Sequence, residues 1–112
     1  MAKVIIPSYL ENEVNKKFKG ESVKIFELMY SLEENPHKGK VLGNIAGILI
    51  KELKYKKFRF YFIVEGHKLK IFSKEELTNL LIKFVGMSDK KTQQKTIDKI
   101  REVLLKIGID GF

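Results

Sequence analysis

Four side chains that can act together on a phosphate ester lie within ten residues of this chain: Glu52, Lys54, Arg59 and Tyr61. A carboxylate can take a proton from a ribose 2′-hydroxyl, cations can stabilise the charge that develops on the phosphate, and an acid can protonate the leaving oxygen. Arg59 suits the phosphate because its planar guanidinium can bind two oxygens at once. Cleavage of RNA without a metal requires these group types.

Two neighbouring segments, residues 48–54 and 58–64, are predicted to be the strands that carry these groups, because both are rich in β-branched and aromatic residues. Side chains alternate between the faces of a strand, so the phenylalanines of the second segment share one face, which must be core. A tight turn at Lys56 and Lys57 then sets the register. The expected pairs are Tyr55 with Phe58, Leu53 with Phe60, Lys51 with Phe62, Lys54 with Arg59, and Glu52 with Tyr61. A slip of one residue would bury charges and expose phenylalanines, so the register is well specified.

The same cluster has a second interpretation, in which it carries no function. Glu52 and Lys54 can form a cross-strand ion pair on a solvated face of the sheet. Such exposed pairs contribute roughly 0–1 kcal/mol to stability. The residue types alone favour this second interpretation over catalysis.

The remaining elements are predicted from apolar residues that recur at helical or strand spacing and from the glycines and prolines that interrupt them. Before the two strands, the chain is predicted to form a strand over residues 3–7, a helix over 8–19, a helix capped by Ser22 that ends at Asn35, and a loop over 37–47. After them come a turn at 65–67, strands over 68–73 and 79–86 joined by a polar connection, and a helix over 89–107 capped by Ser88. The order β-α-α-β-β-β-β-α predicts one α+β domain over residues 1–112. In this domain a helical hairpin packs on a mainly antiparallel sheet of about five strands, and a long helix follows the sheet.

The charge of the chain indicates an anionic partner. The net charge of the 112 residues is +8, but residues 1–35 contain 5 lysines and 6 glutamates. Residues 36–112 contain 17 cationic and 8 acidic side chains. A positive field of this kind attracts a polyanion or an acidic protein, and a solvated lysine surface explains it equally well.

Several lysines are candidate RNA-binding residues on this positive part of the chain: Lys56, Lys57, Lys83, Lys90, Lys91 and Lys95. The first two lie on the predicted hairpin turn, and the last three lie on the predicted final helix. Their alternative role is to keep the turn and the helix face solvated, or to contact an acidic protein.

Other classes of function are disfavoured by the composition. The chain has no cysteine and only two histidines, so we expect neither a disulfide nor a metal site. The glycines of residues 37–47 fit no nucleotide-binding spacing, and no cofactor is expected. No apolar run is long enough to span a bilayer and no secretory signal is visible, so we expect a cytoplasmic protein without membrane contact.

Four segments, taken together, resemble the RelE/ParE superfamily of toxins, in particular its RelE-like and HigB-like members. In residues 32–42 a helix ends at Asn-Pro and a Gly-Lys-x-Leu loop follows. Residues 51–54 resemble the family's "ELR/ELK" strand, residues 58–64 its "YRI-x-Y" strand, and residues 90–93 the "KKT" segment of HigB-like members. The resemblance covers about residues 3–107, and the order of elements agrees.

The resemblance implies a RelE-like fold and a toxin of a type II toxin–antitoxin system. Such toxins are endoribonucleases that cut mRNA at the ribosome without a metal, and a cognate antitoxin protein neutralises them. Arg59 matches the family's phosphate-binding arginine, and Lys54 matches a position that is often cationic. Many members carry a second arginine and a Tyr or His near the end of the last strand, whereas residues 84–88 of this chain carry neither. A ParE-like or inactive relative that binds a protein or RNA without cleaving it, and a plain RNA-binding domain, remain alternatives.

Overall fold

A computed structural model describes residues 2–65 and 80–112 of the chain. In chain order its elements are β1 (Lys3–Ile5), α1 (Ser8–Phe18), α2 (Ser22–Tyr30), β2 (Lys40–Ile45), β3 (Ile48–Tyr55), β4 (Phe58–Glu65), β5 (Leu81–Ser88) and α3 (Gln93–Lys106). The predicted α+β class is confirmed. The predicted strand over residues 68–73, the connection that follows it and most of the turn before it lie outside the described residues.

The strands form one five-stranded mixed sheet in the order β1-β5-β4-β3-β2. The pairs β2–β3, β3–β4 and β4–β5 are antiparallel, and β1 is parallel to β5. The predicted sheet of about five mainly antiparallel strands is therefore confirmed. Within the described ranges, no helix is long and apolar enough to cross a membrane.

The predicted loop over residues 37–47 is wrong, because Lys40–Ile45 forms the edge strand β2. This segment contains Gly43 and Asn44, which have low strand propensity, and its register shifts between Val41 and Gly43. Pairing with β3 therefore stabilises the strand more than its own sequence does. The turn into β3 uses Ala46 and Gly47 at φ values of 52° and 83°, the left-handed geometry that suits a two-residue hairpin turn.

The helices α1 and α2 cover one face of the sheet, as predicted for the helical hairpin. Their apolar stripes pack on the phenylalanines that alternate along β4. The buried residues at the centre of this core are Leu10, Val14, Ile25, Met29, Leu32, Phe60, Phe62 and Phe84. The predicted cap at Ser22 is wrong, since its hydroxyl instead donates a hydrogen bond to the Val14 carbonyl at 3.2 Å and ties the two helices together.

The opposite face of the sheet is not a solvated polar face, because α3 packs on most of it. The second core contains Ile50, Tyr61, Ile63 and Val85 from the sheet, and Ile97, Ile100 and Leu104 from α3. The helix begins at Gln93 and not at Asp89, because the Asp89 carboxylate accepts bonds from the Thr92 amide and hydroxyl and closes a turn there. Ser88, predicted to cap this helix, is the last residue of β5.

Burial of Lys51 in the core beneath α1 and α2 should make the free energy of unfolding depend on pH. Its side chain is only 5% exposed, and its ammonium donates to the His37 carbonyl at 3.0 Å. Burial lowers the pKa of Lys51 in the folded protein below the usual 10.5. Between the lowered pKa and 10.5, the unfolded chain therefore binds more protons than the folded protein. The free energy of unfolding therefore gains a contribution as pH rises from the lowered pKa to 10.5, and below that window the buried charge is destabilising.

We expect Lys51→Met to flatten this pH dependence and to raise the stability at neutral pH relative to wild type. Urea unfolding at several pH values between neutrality and 10.5 measures the change. The matched control is Lys95→Met on the exposed side of α3, which should keep the wild-type slope. Equal slopes for wild type and Lys51→Met would show that the ammonium is not desolvated in the fold.

Candidate functional site

The hairpin of β3 and β4 has the predicted register. Lys54 lies opposite Arg59, Glu52 lies opposite Tyr61, and the remaining pairs also match. Because residues opposite each other in an antiparallel pair share a face, these four side chains leave the sheet on the side of α3. They form two successive rows, one of Glu52 and Tyr61 and one of Lys54 and Arg59.

Two adjoining clefts lie at the hairpin end of this face and together form what we call the basic groove. The first cleft, of about 440 Å³, is lined only by cations: Lys54, Lys56, Lys57, Arg59 and Lys90. The second, of about 380 Å³, is lined by Gly39, Lys40, Glu52, Leu53, Lys54 and Arg59. Since both clefts share the row of Lys54 and Arg59, an extended anion can lie along the groove and contact cations over its whole length.

Among the residues that the structure describes, most of these cations have no acidic partner. Across the described part of the chain the ion pairs within 4.0 Å are Lys56–Glu21 at 2.5 Å and Lys106–Glu102 at 2.7 Å. The first of them lowers the pKa of Glu21 through its hydrogen bond to Lys56 and raises that of Lys56 for the same reason. The other groove cations form no ion pair with a carboxylate of the described ranges.

Among the described residues, the guanidinium of Arg59 has a single protein partner, at a long distance. Its Nη1 donates to the Phe58 carbonyl at 3.4 Å, at the long end of the hydrogen-bond range. No other bond from this guanidinium is present within residues 2–65 and 80–112. Its remaining N–H groups can therefore bind a bidentate oxyanion such as a phosphate.

Lys90 reaches the groove from the connection between β5 and α3, and the residues before and after it are anchored. Ser88 shares a 2.7 Å hydrogen bond with the Tyr61 hydroxyl. Asp89 accepts from the Thr92 amide at 2.9 Å, and the hydrogen bonds from Thr92 lower the pKa of this carboxyl. The connection thus forms a wall of the groove and presents the Lys90 ammonium to it.

Glu52 is 6% exposed and lies at the floor of the second cleft. The interpretation of Glu52 and Lys54 as an ion pair is wrong, because no such contact occurs. One carboxylate oxygen, Oε2, is buried and accepts no hydrogen bond from any described residue. A buried acceptor without a partner costs free energy.

Tyr61 lies beneath the groove and not in it. Its side chain is fully buried, and its hydroxyl is bonded to Ser88. Burial raises the pKa of the Tyr61 phenol above its usual value of 10.0, and the charge of Glu52 raises it further, while the bond to Ser88 and the charge of Arg59 lower it. The phenol stays neutral near pH 7 and positions the end of β5 against β4.

We expect Tyr61→Phe to lower the free energy of unfolding by about 1–3 kcal/mol, because it leaves the buried Ser88 hydroxyl without its partner. The double variant Tyr61→Phe/Ser88→Ala removes both polar groups and should recover much of the loss. Urea unfolding of the two single variants and the double variant gives the coupling between them. Additive losses would contradict a direct Tyr61–Ser88 interaction.

The structure does not bring every candidate lysine into the groove. Lys83 pairs with Ile63 further along β5, and its ammonium donates to the Phe112 carbonyl. Lys91 and Lys95 are exposed near the start of α3 but do not line either cleft.

Lys40, which the sequence interpretation did not include, does line the second cleft. The signal that could have found it is the turn formed by Ala46 and Gly47. A hairpin at that turn makes residues 40–45 a strand and brings Lys40 level with Glu52.

Comparisons with models of protein families, with curated proteins and with solved structures each returned no match for this chain.

Proposed function

We propose that this chain is a RelE-like or HigB-like toxin of a type II toxin–antitoxin system, a metal-independent endoribonuclease that cuts ribosome-bound mRNA. The observation that carries the proposal is the basic groove, where Glu52 lies at the floor of a cleft also lined by Lys54 and Arg59. The resemblance of the Asn-Pro, "ELK" and "FRFYF" segments to this superfamily supports the same function and a RelE-like arrangement of the sheet. The proposed substrate also implies action in the cytoplasm.

The groove suits the sugar–phosphate backbone of RNA more than a neutral ligand. Five cations line its first cleft without a carboxylate among them. Contacts between lysine or arginine and phosphates supply most of the sequence-independent affinity of a protein for nucleic acid. The long groove therefore binds several phosphates of a strand, while the reacting phosphate lies beside Glu52.

The proposed reaction follows from the groups at that end of the groove. Glu52 accepts the proton of a ribose 2′-hydroxyl, and the 2′ oxygen forms a bond to the adjacent phosphorus. Arg59 stabilises the charge of the phosphorane through paired hydrogen bonds. The bond from phosphorus to the 5′ oxygen of the next nucleotide then breaks, and the Lys54 ammonium protonates this oxygen. The products are a 2′,3′-cyclic phosphate and a 5′-hydroxyl, and Tyr61 supports the floor of the site.

Primer extension on translating ribosomes tests the proposal. With the wild-type protein added to a programmed translation reaction, new 5′ ends should appear within the message, and the same reaction without protein should lack them. Expression of the protein should also arrest growth, and co-expression of the cognate antitoxin should relieve the arrest. An intact message at a protein concentration that saturates ribosomes would overturn the nuclease proposal.

A second candidate function is binding without cleavage, as in a ParE-like or inactive member of the superfamily. The observation that favours it is the burial of both Glu52 and Tyr61, which leaves cations as the exposed groups of the groove. The groove then binds an acidic segment of a partner protein. Tight binding of an acidic partner together with an intact message in the ribosome assay would favour this candidate.

A further inference from the structure

We infer that Lys40 is a further catalytic residue, which contacts the reacting phosphate from β2, on the side of β3 opposite the strand that carries Arg59. This inference rests on the proposed nuclease function and goes beyond it by assigning a residue and its role. It starts from the edge strand β2, which brings Lys40 into the second cleft.

The sheet places Lys40 in register with the proposed base. Lys40 on β2 lies directly opposite Glu52 on β3, which in turn lies opposite Tyr61 on β4. Directly opposite residues share a face, and neighbouring strands are about 4.8 Å apart. The row of Lys54 and Arg59 lies two residues further along, about 7 Å away. Glu52 is thus flanked by cations in two directions.

The backbone before Lys40 fixes its position. Gly39 has a φ of 104°, and a Cβ at this residue would lie 2.9 Å from the Glu52 carbonyl oxygen and 2.9 Å from the Phe62 ring. The chain therefore enters β2 pressed against β3, where only glycine fits. This contact sets where the Lys40 side chain leaves the sheet. The side chain is exposed, and it forms no ion pair with the residues that the structure describes.

Charge balance explains why a cation is needed at this point. Glu52 and the phosphate are both anions, and they repel each other when the reacting ribose lies between them. During attack the phosphorane gains further negative charge on its non-bridging oxygens. Arg59 can bind these oxygens from one side only, since its guanidinium is planar. The Lys40 ammonium, on β2 across β3 from the strand of Arg59, binds the remaining oxygen and stabilises the transition state more than the ground state.

Single-turnover cleavage at saturating protein, together with RNA affinity, tests the role of Lys40. The measured reaction is cleavage of a short message on programmed ribosomes, and a labelled single-stranded RNA gives the affinity. Lys40→Ala should lower the cleavage rate about 100-fold, while RNA affinity falls less than tenfold. Lys40→Arg should retain most of the rate, because it keeps a cation at the position. The matched control is Lys16→Ala, which removes an exposed lysine of α1 on the other face of the sheet and should change neither the rate nor the affinity.

Each outcome of this experiment decides a separate point. A folded Lys40→Ala protein with the wild-type rate at saturation would overturn the catalytic role while leaving the nuclease proposal standing. A loss confined to affinity would make Lys40 a binding residue only and would also overturn the inference. Absence of cleavage by the wild-type protein would overturn the proposed function itself. Circular dichroism and urea unfolding verify that each variant is folded, which the exposure of Lys40 leads us to expect.

Discussion

Replacing Arg59 with alanine is expected to abolish growth arrest and to slow single-turnover cleavage of ribosome-bound message by about 10²–10³-fold. The reason is that Arg59 lines both clefts of the basic groove and, in the proposed mechanism, provides the paired N–H donors for the reacting phosphate. The neighbouring Lys54 cannot replace it, because an ammonium is a point charge and does not hold two phosphate oxygens in a fixed plane.

The Arg59→Ala protein should remain folded. Within the described ranges the guanidinium makes a single long hydrogen bond, to the Phe58 carbonyl, and pairs with no carboxylate. Circular dichroism and urea unfolding should therefore match those of wild type. Arg59→Lys serves as the matched control, and we expect it to keep RNA affinity but to recover only part of the cleavage rate. Full toxicity of a folded Arg59→Ala protein would reject the mechanism on this face of the sheet.

Replacing Glu52 with glutamine is expected to lower the cleavage rate by about 10²–10⁴-fold, the usual contribution of a general base. The same change should leave RNA affinity equal to or higher than that of wild type, because it removes a negative charge from a groove of cations. It should not lower the free energy of unfolding, since it replaces a buried carboxylate whose Oε2 has no partner among the described residues.

This combination separates a catalytic role of Glu52 from a structural one. A structural carboxylate would lose stability on replacement, and a residue that only shapes the groove would change affinity. Rate, affinity and urea unfolding should be measured on the same preparation of Glu52→Gln and compared with Arg59→Ala, which should lose affinity as well as rate. Cleavage by Glu52→Gln at the wild-type rate would exclude Glu52 as the base.

The centre of the site could be predicted from the sequence because alternation in two adjacent strands is a local signal. The segments 48–54 and 58–64 are separated by a short turn, so one pattern of phenylalanines decides both the faces and the register. A slip of one residue would have turned the phenylalanines of β4 away from the core that they form with α1 and α2. The pairs of Glu52 with Tyr61 and of Lys54 with Arg59 follow from this alone.

The walls of the groove could not be predicted in the same way. Lys40 reaches the site through β2, an edge strand whose glycine and asparagine give a weak strand signal, so that its pairing partner decides its structure. Lys90 reaches the site through a turn that depends on the side chain of Asp89. Both contacts join residues far apart in the chain, and no local periodicity encodes them.

The sequence by itself determined the class of the domain, the hairpin register and the face on which Arg59 lies, because each depends on the spacing of apolar residues. Only the tertiary structure decided that this face is divided between a second core and a groove. The α3 helix packs over Tyr61 and Ile63, whereas Arg59 lies outside this core and lines the groove. Burial of Glu52 and exposure of the cations beside it are consequences of where α3 and β2 dock, which depends on the packing of distant segments.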